Sequence, residues 1–149
     1  MTICFNRSIH IFPAMKKVLI DSSVWVSYLA EDTNSEKAYK LLTRLLSRKD
    51  GRKIMVPRII YLEVINSLLK LERTIKEIEN FKLLIRSKKK IQLVKIDERI
   101  YIKAEQLAHK VRLKTLDLLI LTTIHELKIN HFYSFDKKFS KSHHFINQL

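Results

Sequence analysis

Cysteine, glycine and proline are nearly missing from this chain: one, one and two respectively in 149 residues. A single thiol, Cys4, closes no internal disulfide and belongs to no metal-ligand spacing. One glycine, Gly51, excludes the glycine-rich turn on which a dinucleotide fold depends. With so little glycine and proline there is no flexible linker, and no internal repeat or low-complexity tract divides the chain. Long apolar runs are missing too. None approaches the roughly 18–20 residues that span a bilayer, and "MTICFNRSIHIFPAM" is interrupted by Asn6, Arg7, Ser8 and His10. The expectation is a soluble cytosolic protein without a membrane partner.

What is present is apolar content and positive charge. Hydrophobic residues make up 46% of the chain, enough to form the core of one domain at this length. The formal net charge of +14 favours a polyanionic partner, nucleic acid first, although a generally basic surface would give the same total. Three clusters, residues 47–53, 86–90 and 137–141, read as phosphate contacts or as solvated turns. Residues 1–14 hold one Arg and no Lys and lack periodicity. They read as an extension ahead of a single domain over 15–149, with Met15 as an alternative start.

Along that domain, short apolar runs alternate with helical patterns. "KVLI", "KIMVP", "IQLVKI" and "HFYSF" read as strands. After Asp21, "SVWVSYLA" predicts a short helix. "TNSE" (33–36) reads as a capping box ahead of Ala38, Leu41, Leu42, Leu45 and Leu46 at helical spacing. Residues 59–72 predict a helix with Ile60, Val64, Leu68 and Leu71 on one face. "TIKE" (74–77) caps another, running to about Arg86. Asp97 is placed to cap a helix carrying Ile100, Ala104, Leu107, Ala108 and Val111, and Thr115 to cap the apolar "LDLLILTTIHEL". The alternation implies an α/β fold: a central parallel sheet of four or five strands with helices on both faces and a ligand site at the strands' carboxyl ends.

Four acids stand in apolar surroundings. Asp21 and Asp136 close strand-like runs, Glu63 lies within "RIIYLEVINSLL", and Asp117 opens the most hydrophobic helix. Each alone has an ordinary reading, Asp21 and Asp117 as helix caps and Asp136 as a turn residue. Together they need a cation, because clustered carboxylates repel and are costly to bury unpaired. All-oxygen ligands suit Mg²⁺ or Mn²⁺, and such an ion beside a basic surface points to phosphodiester cleavage. Glu31, Asp32, Asp50 and the remaining acids sit in polar sequence and read as surface charge.

In order and context, "VLIDSSVWVSYL", "PRIIYLEVINSL", "LKTLDLLILTTIHEL" and "FYSFDKKF" resemble the PIN-domain family, specifically the VapC-like ribonuclease toxins of toxin–antitoxin pairs. The resemblance runs from Lys16 to about Ile146 and implies a PIN-like three-layer fold. It also implies that Asp21, Glu63, Asp117 and Asp136 bind one or two Mg²⁺ or Mn²⁺ ions. Ser22 and Ser134 would supply supporting hydroxyls; apart from the resemblance, Arg58, Lys137 and Lys138 are candidate RNA contacts by their charge. Its further implications are a structured RNA substrate such as tRNA or rRNA, a homodimer, and a small cognate antitoxin. The chain departs from the family pattern in bulky Leu118 and Leu119 after the third acid, and in its high basic charge.

Rival acidic sites fit poorly. A haloacid-dehalogenase-like phosphatase needs a second aspartate where Ser23 stands, and a receiver domain needs an acceptor aspartate where Pro57 ends its strand. The alternatives that remain are a noncatalytic PIN-like module binding RNA or protein, and a nontoxic RNA-processing nuclease. His109, His125, His131, His143 and His144 read as packing or surface groups. Trp25, Tyr28 and Tyr39 read as core or dimer contacts, and Tyr61 has the better claim on RNA.

Overall fold

The computed structural model describes residues 14–137. The first thirteen residues, Lys138 and the His143–His144 pair lie outside them. Among the described residues four strands form: β1 (Lys17–Ile20), β2 (Lys53–Pro57), β3 (Ile91–Val94) and β4 (His131–Tyr133). All neighbouring pairs are parallel, in the order β3-β2-β1-β4. Val18, Leu19 and Ile20 have no exposed surface, as expected of a central strand covered on both faces.

Six helices fill the connections between these described strands: α1 (Ser22–Ala30), α2 (Ser35–Leu46), α3 (Arg58–Lys70), α4 (Ile75–Ser87), α5 (Glu98–Ala108) and α6 (Thr115–Glu126). The expected spacing identifies their buried faces: Ala38, Leu42 and Leu45 on α2, Ile60, Val64 and Leu68 on α3, Ile100, Ala104 and Leu107 on α5. Trp25 is wholly buried, edge-on to Phe81 with ring centroids 5.9 Å apart. Tyr61 stacks on Phe81 at 5.7 Å, so it packs with the core instead of serving as a platform for RNA bases. Burial of each such side chain contributes roughly 1.5–3 kcal/mol.

Helix ends are where structure and sequence expectation part. The box at Thr74–Glu77 forms with both of its hydrogen bonds, and Asp97 accepts from the Ile100 N–H at 3.2 Å. The box at 33–36 does not form. Asn34 is the N-cap, Asp32 accepts its N–H at 2.8 Å, and Glu36 pairs with Lys40. Thr115 is the first residue inside α6, not its cap; Lys114 precedes it and its carbonyl accepts from the Leu118 N–H. Leu71 leaves the apolar face because α3 stops at Lys70, and it is 52% exposed. Likewise Ala108 is exposed, and Val111 lies past the end of α5. β3 ends at Val94, two residues early, because its ladder to β2 runs out at Pro57.

The scarcity of glycine shows in the backbone. Glu31, Glu72 and Lys128 take φ of 52–54°, the left-handed conformation that glycine normally supplies at helix ends. After α3, the Arg73 and Glu72 N–H groups donate to Leu68 and Leu69 carbonyls; after α6, those of Ile129 and Lys128 donate to Ile124 and His125. Each is a Schellman closure built without glycine, at about 1 kcal/mol of local strain.

Candidate active site

β1 has a neighbour on either side, β2 and β4, which reach it by different routes along the chain. This is the switch point at which parallel sheets open a crevice beyond their carboxyl ends. Asp21 stands at its base. Its N–H donates to the Tyr133 carbonyl at 2.9 Å, prolonging the β1–β4 ladder by one bond and bringing the carboxylate beside the residue that follows β4, Ser134. The side chain caps nothing in α1, so the helix-cap reading of Asp21 fails.

Two hydroxyls orient the buried Asp21 carboxylate. Ser23 Oγ and Ser134 Oγ donate to Asp21 Oδ2 at 2.7 and 2.8 Å. Ser23 Oγ in turn accepts the Phe135 N–H at 3.1 Å, and Ser134 Oγ the Asp136 N–H at 3.0 Å. With backbone donors occupying their lone pairs, both hydroxyl protons turn to Asp21. The loop after β4 is thereby tied to the start of α1.

Glu63, at mid-α3, and Asp117, in the first turn of α6, line the same crevice with Asp21, Ser22 and Asp136, around a cavity of about 430 Å³. Burial raises the Glu63 carboxyl above the ordinary value. The Asp21 and Asp117 charges add to this, while the Ser22 hydroxyl beside it acts against them. Burial likewise raises Asp117, reinforced by Asp136 and Asp21 and opposed by Lys114. The acids therefore feel one another's charge, and among the described residues no Lys or Arg lines the cavity.

That donor set is the chemistry a hard divalent ion requires: oxygen ligands only, with mutual repulsion that a cation relieves. As placed, no group of three His, Cys, Asp or Glu among the described residues converges tightly enough to grip an ion. The fit therefore rests on charge and donor type, and the carboxylates would have to turn inward around an ion.

Of the residues singled out by sequence, Asp21, Ser22, Glu63, Asp117, Ser134 and Asp136 come together at this crevice. Arg58 does not; it lines a separate depression with Leu62, Lys95 and Tyr101. Lys137 is exposed just beyond Asp136, and Lys138 lies outside the described residues. Sequence reasoning missed Ser23, whose only visible signal was its place two residues after Asp21. It also missed Asp32, which lines the crevice and accepts from Ser27 Oγ at 2.7 Å.

Comparison with known proteins agrees with this architecture. A family model described as PIN domain matches residues 18–143. The fold is similar to that of Mycobacterium tuberculosis VapC20, a sarcin–ricin loop cleaving toxin, at a TM-score of 0.69 and 15% identity, over 84% of this chain and 94% of that one. It is similar to a chain of VapBC2 from Rickettsia felis, solved bound to a DNA fragment from their promoter, at 0.61 and 14%, over 84% and 92%. A toxin–antitoxin complex from Klebsiella pneumoniae gives 0.60 and 16%, over 82% and 89%. No curated protein sequence matches the chain.

Proposed function

This chain belongs to the PIN-domain family, and on that premise we propose that it is a metal-dependent endoribonuclease, the toxin of a toxin–antitoxin pair. The observation that carries the reading is the crevice itself: four carboxylates gathered at the switch point of the sheet, two of them raised by burial and by the charge of the others, with no Lys or Arg lining it among the described residues. Asp21, Glu63, Asp117 and Asp136 are the residues that would hold Mg²⁺ or Mn²⁺. When bound, such an ion supplies Lewis-acid stabilisation of charge on a phosphodiester and lowers the pKa of water.

The chain's own residues do the positioning. Ser23 and Ser134 hold Asp21 in one rotamer, Ser22 steadies Glu63, and Asp117 and Asp136 complete the anionic wall. A phosphate approaching that wall without a cation is repelled, which makes cleavage conditional on the ion. A structured RNA such as tRNA or rRNA is the proposed substrate. The resemblance to chains solved within toxin–antitoxin complexes supports a small antitoxin partner. A cytoplasmic homodimer completes the proposal.

The test is cleavage of a tRNA and rRNA pool with Mg²⁺ or Mn²⁺, with EDTA, and with Asp21→Asn. Discrete fragments that need both the metal and Asp21 are expected. A folded protein that binds RNA but cuts none under any metal condition would establish the noncatalytic module instead.

A further inference from the structure

Three adjacent strands, β1, β2 and β3, are each entered through a pair of cations: Lys16–Lys17, Arg52–Lys53 and Lys89–Lys90. One member of each pair turns inward. Lys17 Nζ donates to the Leu127 carbonyl at the end of α6 at 3.0 Å. Lys90 Nζ donates to Leu45 and Ser47 at the end of α2, at 2.6 and 2.7 Å, and to the Asp50 carbonyl. Arg52 grips Asp50 and reaches the Tyr133 hydroxyl. These three offset the negative ends of two helices and fix the turns.

The other members have no such duty. Among the described residues Lys16, Lys53 and Lys89 enter no ion pair, and neither does the exposed Arg48. Arg48, Lys53 and Lys89 border one open depression; among the described residues its only acid is Asp50, already matched by Arg52. Among the described residues, a Cβ added at Gly51 on the depression's rim would meet no atom within 4 Å. Two basic clusters far apart in sequence, 47–53 and 86–90, have become one surface.

That surface lies at the amino ends of the strands, whereas the acidic crevice lies at their carboxyl ends. The length of β1 alone separates them by about 13 Å. We propose that this amino-end surface is a docking site for the phosphate backbone of a folded RNA, engaging a part of the substrate distant from the bond that is cut. It rests on the ribonuclease reading for its substrate class, but not for its binding prediction. Lysine ammoniums and an arginine fork carried on turns suit a phosphate backbone. The residues that border the depression lie on turns and strand ends, with no interfacial helix among the described ones.

The test compares the wild type with Arg48→Glu/Lys89→Glu, and with Lys76→Glu/Lys110→Glu, two exposed lysines outside the depression that give the same net charge. Binding to folded tRNA is measured across a salt series, and cleavage is measured on tRNA and on a short unstructured oligonucleotide. The proposal expects the first variant to bind tRNA at least tenfold more weakly, with a log–log salt slope shallower by about 2. It expects short-oligonucleotide cleavage within twofold of wild type and a near-normal control variant. Equal tRNA binding by all three proteins overturns it, as does equal weakening by both variants, which would mean that only total charge matters. Loss of binding to anionic vesicles with tRNA binding intact also overturns it and reassigns the surface to a membrane. If no protein cuts any RNA, the ribonuclease reading fails, yet the tRNA binding series still decides the docking surface.

Discussion

The two ends of the sheet use charge in opposite ways. At the amino ends, Asp50 and Arg52 are close to buried, with side chains 10% and 19% exposed, and each has its complement; Arg52 holds the Asp50 carboxyl down to about 2. At the carboxyl ends, Glu63 and Asp117 are pushed upward by burial and by neighbours of the same sign. Matched charge of the first kind fixes turns. Unmatched charge of the second kind works against folding, and persists where a ligand supplies the missing sign.

Substitutions at each end can break this contrast. The largest expected effect is at the crevice: Asp117→Asn should lower metal-dependent cleavage roughly 100-fold or more, since each 1.4 kcal/mol of lost charge stabilisation costs tenfold. The same change should raise the melting temperature of the metal-free protein by relieving repulsion. A fall in that temperature would mean that Asp117 is a structural cap and that the ends do not differ as described.

At the other end the sign reverses. Arg52→Ala leaves Asp50 without its partner and should cost about 2–3 kcal/mol in denaturant unfolding, less than a fully buried pair because solvent is within reach. Its pH dependence sharpens the point. Asp50 titrates near 3.8 unfolded and near 2 folded, so its contribution is complete above about pH 4 and is lost as the pH falls towards 2. In Arg52→Ala that acid-side loss should flatten, as seen by circular dichroism between pH 5 and 2.

The smallest effect belongs to the turn between α6 and β4, which takes part in neither set of charges. Lys128→Gly removes the strain of a left-handed residue at the close of α6 and should stabilise by about 1 kcal/mol. No gain would show that the surrounding bonds already accommodate the side chain.

Elements governed by local hydrophobic period were legible in the sequence, and so were acids that interrupt it. Asp21 and Asp136 were visible because an apolar run stops on each, and Glu63 because its neighbours on α3 are apolar. Ser23 was not, because its importance arises from the Phe135 N–H and from sharing Asp21 with Ser134, more than a hundred residues away. Asp32 looked like surface charge because its neighbours in sequence are polar, while its partner Ser27 lies on the preceding helix. The caps at Asn34 and Lys114 were misjudged for a related reason: capping depends on which competing carboxylate or carbonyl reaches the N–H first. The early end of β3 came from a proline in the partner strand.

The bond from Ser134 to Asp21 joins residues 113 positions apart, and β4 is the last of the described strands to leave the ribosome. Until it does, β1 presents a bare edge and Asp21 lacks one of the two hydroxyls that orient it. The first acid of the crevice is made more than a hundred residues before its clasp. Completion of the site is therefore a late event of synthesis and folding, and a nascent chain stalled before Tyr133 carries three of the four acids without the architecture that aligns them.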